Sequence, residues 1–220
     1  MTGSDRSLLI FRPARQPVGR TDRPTQGRHE IDKVLGMVPV RPPTCFATER
    51  LRLRPMCATD APNIFRYAAD SEATRFMVFR RHEALAESEI FARRCETCWQ
   101  DGSAFPWAIS LAATGEFIGG IEMRIKPPKA DFGYILCRDH WARGLATEAV
   151  SCLVNWALAQ PQIFRAWATC HPANLASARV LEKSGLTYEG RLARWEPRPN
   201  LGEEAGDSLV YAVTRSDEDA

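Results

Sequence analysis

Hydrophobic and polar positions change their period several times along the chain, and each change marks an element. Leu51 and Leu53 alternate with Arg50, Arg52 and Arg54. A period of two places the two sets on opposite faces, which predicts a half-buried strand. Thr59-Asp60, then Pro62 and the apolar Ile64, Phe65 and Ala68, predict a helix with proline in its first turn. Over 83–100, Ile90, Phe91, Cys95, Cys98 and Trp99 share one broad helical face. Runs 105–113 and 116–126 read as strands joined at Thr114-Gly115, a hairpin signal, and 131–137 reads as a further strand. Helical spacing returns from 144 to 159 at Val150, Leu153, Val154, Ala157 and Leu158. Strand 163–170, helix 174–183 ending at Gly185, and strands 186–194 and 207–214 complete the order. Such an order predicts an α/β (mixed α+β) chain, one sheet with helices packed on it.

Residues 1–44 break this regularity. They carry eight basic and four acidic residues, a net +4, so the chain's total of +2 leaves −2 for 45–220. Six of the 15 prolines fall there, and only Leu8-Leu9-Ile10-Phe11 offers an apolar face. This composition predicts a basic, Pro-rich extension, disordered or loosely docked, ahead of one domain at 45–220. Met37 precedes the first strand-like segment and is an alternative start. A basic arm that meets an acidic partner or RNA is the functional reading of the extension.

The near-zero total charge gives no field for nucleic acid, so direct nucleic-acid binding is not expected. No apolar run approaches the roughly 20 residues of a membrane span, and the start lacks the pattern of a secretory signal. Seven cysteines, an odd number, then suggest free thiols in a reducing cytoplasm. Cys95-x-x-Cys98 lacks a second ligand pair, so no metal is expected.

The segment Arg138-Asp-His-Trp-Ala-Arg-Gly-Leu-Ala-Thr-Glu-Ala149 carries the first chemistry. A strand ends, a short loop turns at Gly144, and a helix opens. First-turn amides lack intrahelical partners and carry the positive end of the helix dipole, so they attract phosphate. Arg143 adds a cation. Neither a nucleotide P-loop nor a G-x-G-x-x-G fingerprint is present. A pyrophosphate cradle and an ordinary strand-to-helix turn both suit the pattern.

A second segment, His171-Pro-Ala-Asn174-Leu-Ala-Ser177-Ala-Arg-Val-Leu-Glu-Lys183-Ser-Gly185-Leu, places Asn174 and Ser177 on one helix face. Together with Trp141-Ala-Arg-Gly-Leu-Ala-Thr-Glu-Ala149 it closely resembles the GNAT superfamily of acyl-CoA-dependent N-acetyltransferases, and within it the RimJ/RimL branch. Thr48-Glu-Arg-Leu-Arg-Leu-Arg-Pro55 and Asp207-Ser-Leu-Val-Tyr-Ala212 match that branch too, so the resemblance spans about 46–215. Ala142 stands where glycine is common, Trp141 where the wider superfamily has Gln or Arg, and Leu186 where Phe is usual.

The resemblance implies a GNAT-like fold: one mixed sheet of about six or seven strands with helices on both faces. It implies acetyl-CoA as co-substrate. Backbone groups of Ile135, Leu136 and Cys137 would pair with the pantetheine arm in a gap between parted parallel strands. The amides of Arg143, Gly144, Leu145, Ala146 and Thr147 would hold the pyrophosphate. Asn174 would bond the pantetheine and Ser177 would lie near the sulfur. An N-cap for Asn174 and a local hydroxyl bond for Ser177 are the plainer roles, and both can coexist with function.

Acetyl transfer to an amine needs a neutral amine, a stabilised oxyanion and a protonated leaving thiolate. The N–H groups of Leu136 and Cys137 suit the oxyanion, and Ser177 suits the sulfur. For a base, the resemblance points first to Glu196. Glu122 is second, since alternation turns it away from Ile121 and Met123. The expected reaction is direct attack in a ternary complex, on a protein N-terminus or a small-molecule amine. The expected enzyme is a cytoplasmic monomer or homodimer. A non-enzymatic CoA-binding sensor on the same fold is the rival.

Overall fold

A computed structural model describes residues 39–215. Most of the basic extension, Met37 included, lies outside them. Residues 39–44 are tied to the domain: Val40 packs on the core, Arg41 donates to the carbonyls of Trp99 and Gln100, and Thr44 O accepts from Trp107 Nε1 at 2.9 Å.

The strands are β1 (Phe46–Ala47), β2 (Leu51–Pro55), β3 (Phe105–Leu111), β4 (Phe117–Lys126), β5 (Lys129–Leu136), β6 (Arg165–Cys170), β7 (Thr187–Arg198) and β8 (Glu203–Thr214). The helices are α1 (Ala61–Ala68), α2 (Ser71–Thr74), α3 (Leu85–Asp101), α4 (Leu145–Leu158) and α5 (Leu175–Lys183). Local chemistry fixes the ends. Pro62 opens α1. Asp70 caps α2 by accepting from the amides of Glu72 and Ala73. Gly102, at φ +72°, closes α3 in the left-handed conformation that glycine adopts without a Cβ clash.

One sheet of eight strands runs in the order β1-β2-β3-β4-β5-β6-β8-β7. The sequence expectation of six or seven falls short by the two-residue edge strand β1, too brief to show alternation. β7 and β8 also run longer than expected, meeting at a turn over Pro199–Leu201. The end of β7 next to that turn carries Glu196 and Arg198, charged yet buried, so the hydrophobic alternation stops before the strand does.

Alternation along the strands divides the interior into two layers. Leu51, Leu53, Trp107, Ile109, Ile121, Met123 and Phe132 face α4 and its Leu145, Val150 and Leu153. Met56, Ala108, Ile135 and Cys137 face α1 and α3, packing with Ile64, Tyr67 and Phe91. Each large apolar side chain fully buried this way contributes about 1.5–3 kcal/mol.

Only β5 and β6 are parallel neighbours. They pair at Lys129↔Arg165, Ala130↔Ala166 and Asp131↔Trp167, and no further. β5 continues to Leu136 and β6 to Cys170 without meeting, so the sheet opens at its centre. At that level β5 remains bonded to β4 and β6 to β8.

Candidate active site

The opening has two polar edges. Cys137 N–H donates to Ile118 O at 2.8 Å, and the β4–β5 register pairs Leu136 with Gly119 and Ile135 with Gly120. Antiparallel ladders bond alternate residues to one neighbour. Ile135 and Cys137 therefore turn their amides to β4, while Tyr134 and Leu136 turn theirs to the gap. Of the two oxyanion donors expected from sequence, Cys137 is committed within the sheet. Leu136 faces the opening, although its carbonyl already accepts from Trp141 Nε1 at 2.9 Å. Gly119 is required here: a Cβ on it would lie 2.2 Å from Ile135 O.

Beyond β5 the chain turns through Ala142, at φ +56°, and Gly144, at φ +76°. Two left-handed residues so close fold successive amides toward one side, a geometry that favours anions. Among the described residues, none of the amides of Arg143, Gly144, Leu145, Ala146 or Thr147 donates to the chain itself. The turn amides expected from sequence to meet a diphosphate are therefore unbonded. His140 is buried just before this turn, with Nε2 3.6 Å from Glu116.

On the α4–α5 side of the gap, Asn174 caps α5 by accepting from Ser177 N–H at 3.1 Å. The carbonyl oxygen of its side chain is thus used, leaving the amide to donate. Ser177 Oγ lies 2.8 Å from Tyr134 Oη. Burial holds the Tyr134 phenol well above its ordinary range, and it pushes the nearby Cys170 thiol up to about 11. Burial raises Cys137 as well. Both thiols stay protonated at neutral pH, so neither is an activated nucleophile.

On the opposite side of the sheet, charged groups line the same cleft. Glu196 accepts from Arg198 Nη2 at 2.9 Å, from Ser208 at 3.2 Å, and from Thr169 at 3.2 and 3.3 Å. Arg124 donates to Asp131 through Nε at 2.8 Å and to Glu122 at 2.9 Å. Burial, the largest influence, raises the Glu122 carboxyl to about 8 despite Arg124. With Glu122 neutral, Arg124–Asp131 and Arg198–Glu196 remain as two balanced pairs, which limits the cost of burying charge.

The cleft encloses about 100 Å³ and is lined from both sides, by Tyr134, Cys170, Asn174 and Ser177 and by Arg124, Asp131, Glu196 and Arg198. Glu122 stands behind Arg124 and outside this lining. Trp195 is half-buried and does not line the cleft either. At the rim, Phe76 stacks on His171, and Asn200 donates to the carbonyls of Thr74 and Phe79. That bond ties the β7–β8 turn to the segment after α2.

Sequence reasoning missed Tyr134, Cys170, Arg124, Asp131 and Arg198. Two of them carried a signal: Arg124 and Asp131 sit symmetrically about Pro127-Pro128, where a tight hairpin pairs them. Among the described residues, no group of three His, Cys, Asp or Glu side chains is placed to hold a metal ion, and no helix is long and apolar enough to cross a membrane.

An acetyltransferase (GNAT) domain model matches residues 50–187. The chain belongs to the GNAT acetyltransferase family. It is 29% identical over 171 residues to the uncharacterized N-acetyltransferase YoaA of Bacillus subtilis (strain 168), covering 76% of this chain and 95% of that protein. Among solved structures, the microcin C7 self-immunity acetyltransferase MccE, in complex with acetyl-CoA and AMP, shares the fold. Its TM-score is 0.68 at 18% identity, over 76% of this chain and 93% of that one. RimL, a ribosomal L7/L12 alpha-N-protein acetyltransferase in complex with coenzyme A, gives 0.64 at 20% identity, over 79% and 97%. As a GNAT acetyltransferase the chain depends on acetyl-CoA. The unbonded turn amides and the parted strands fit that molecule's diphosphate and narrow arm.

Proposed function

We propose that this GNAT chain transfers the acetyl group of acetyl-CoA to a primary amine, on a protein N-terminus or a small molecule, by direct attack. The observation that carries the reading is a cleft passing between β5 and β6. It has Ser177 and Tyr134 on one side of the sheet and Glu196 on the other.

In this reading Arg143, Gly144, Leu145, Ala146 and Thr147 hold the diphosphate through their amides, and Asn174 donates to the pantetheine. Acetyl-CoA supplies the activated acyl group. The N–H of Leu136 stabilises negative charge on the acyl oxygen. Ser177 donates toward the leaving sulfur, and Tyr134 donates to Ser177 and so orients its hydroxyl. Glu196 takes the amine proton, directly or through water, because it lines the cleft. Glu122 acts behind it, through Arg124. An α-amine, with an ordinary pKa of about 7.7–8.0 against about 10.4 for lysine, needs less help to become neutral. The protonated state of Cys137 and Cys170 supports a route without an acyl-enzyme.

The test is incubation with acetyl-CoA and a panel of peptides, polyamines and aminoglycosides, with free thiol as readout. Thiol release that depends on one class of amine supports the reading. CoA binding with no release across the panel assigns a non-enzymatic sensor instead.

A further inference from the structure

The segment Thr48-Glu-Arg-Leu-Arg-Leu-Arg-Pro55 has no role in the site described so far, yet it reaches the turn between β5 and α4. Glu148, in the first turn of α4, gathers three donors from this segment. They are the Thr48 hydroxyl, the Arg50 amide at 2.9 Å and Arg50 Nε at 2.6 Å. Hydrogen bonding from these groups holds the Glu148 carboxyl below the usual carboxylate range, against the opposing effect of burial. Arg50 Nη1 then donates to Arg143 O at 3.0 Å. Arg50 Nη2 has no partner among the described residues, and a Cβ added to Gly144 would lie 3.4 Å from it. The guanidinium is about half exposed, and it stands against a turn whose own amides are unbonded.

Two physical consequences follow. A carboxylate at the start of α4 opposes an anion bound there, and Arg50 offsets that charge at contact distance. The guanidinium is also a rigid fork. With Nε and Nη1 fixed by Glu148 and Arg143, the direction of Nη2 is set before any ligand arrives.

We propose that Arg50 is a diphosphate-binding residue of the acetyl-CoA site. It braces the turn through Nη1 and donates to the diphosphate through Nη2, while Glu148 positions it. The inference rests on the acetyl-CoA reading above and adds a contact from the residue just before β2, 93 residues away in sequence from Arg143.

Calorimetric titration with CoA, inorganic pyrophosphate and pantetheine separates the contributions. Arg50→Gln should weaken CoA and pyrophosphate about tenfold and pantetheine less than twofold, with the loss shrinking as salt rises. Arg50→Lys keeps the charge without the fork and should fall between, which covers the case of a poorly folded glutamine variant. Glu148→Gln keeps one acceptor oxygen where the carboxylate offers two to Thr48 and Arg50, so it holds Arg50 less firmly, and CoA affinity should fall between wild type and Arg50→Gln. CoA affinity within twofold of wild type in Arg50→Gln overturns the proposal. So do equal losses for CoA and pantetheine, or a Glu148→Gln variant weaker than Arg50→Gln. Wild-type protein that binds neither CoA nor pyrophosphate overturns the acetyl-CoA reading itself.

Discussion

The two sides of the opened sheet are built on different principles. The α4–α5 side uses backbone amides and a few uncharged groups drawn from two short runs, 134–147 and 170–177. The other side uses buried side chains from β4, β5, β6, β7 and β8, joined as Arg124–Asp131 and Arg198–Glu196. Amides in a turn exist whether or not a ligand arrives, so altering the first side should change binding and rate at little structural cost. Buried charges hold one another, so altering the second side should damage the fold before the chemistry can be read.

The largest expected effect tests that difference directly. Arg198 and Glu196 have side-chain exposures of 2% and 6%. Removing one partner leaves a buried charge uncompensated, which costs about 3–5 kcal/mol. Arg198→Leu should lower the denaturant-derived stability by that amount, and adding Glu196→Leu should recover part of it. A single variant within about 1 kcal/mol of wild type would erase the distinction between the sides.

On the opposite side the expected loss is kinetic. Ser177→Ala should reduce kcat about 100-fold, a typical loss for one proton-donating group, with CoA affinity within twofold. Tyr134→Phe deletes one oxygen and should reduce kcat about tenfold, equivalent to about 1.4 kcal/mol. In the Ser177→Ala background the same change should do little, since the proposed route of Tyr134 runs through the Ser177 hydroxyl 2.8 Å away. Independent, multiplying losses in the double variant would separate Tyr134 from Ser177.

Glu122 gives the pH signature of the charged side. Its carboxyl titrates at about 8 in the folded protein against an ordinary 4.5, with burial as the main cause. Between those values the folded state keeps a proton that the unfolded state has lost. This contribution therefore favours folding most below about pH 4.5 and fades as pH rises toward 8. Wild type should lose stability relative to Glu122→Gln between pH 5 and pH 8, measured by denaturant midpoints at both ends. Parallel midpoints across that window would mean that Glu122 ionises normally.

The same contrast explains what was legible in the chain. Leu51 and Leu53 announce a strand because one face is buried, and Thr114-Gly115 announces a hairpin because the turn needs it. The turn at 142–144 and α5 were readable because each is a contiguous run whose local geometry is set by its own residues. Tyr134 was hidden in Asp-Phe-Gly-Tyr-Ile-Leu-Cys, which reads as packing; the clue was a phenol on an otherwise apolar face, since such a hydroxyl needs a partner. Arg198, Thr169 and Ser208 meet around Glu196 through strand pairing alone, and the irregular register of β7 on β8 conceals it. His140 reads as a loop residue but is buried beside Glu116, which precedes β4.

The smallest expected effect lies within the turn after β5. Ala142 holds φ +56°, where an L-residue with a Cβ is disfavoured by about 1–2 kcal/mol. Glycine removes that penalty but loses more freedom on folding, by about 0.5–1 kcal/mol relative to alanine. The net gain for Ala142→Gly is therefore about 0.5 kcal/mol. In a domain of this size that raises Tm by about 1–2 °C. CoA affinity should be unchanged, because Gly144 and the amides that follow keep their geometry. A rise in Tm with weakened CoA binding would mean that the Ala142 Cβ pre-orders the turn, and the amide side would then depend on side-chain restraint after all. A fall in Tm would mean that the Cβ makes contacts worth more than the strain it carries.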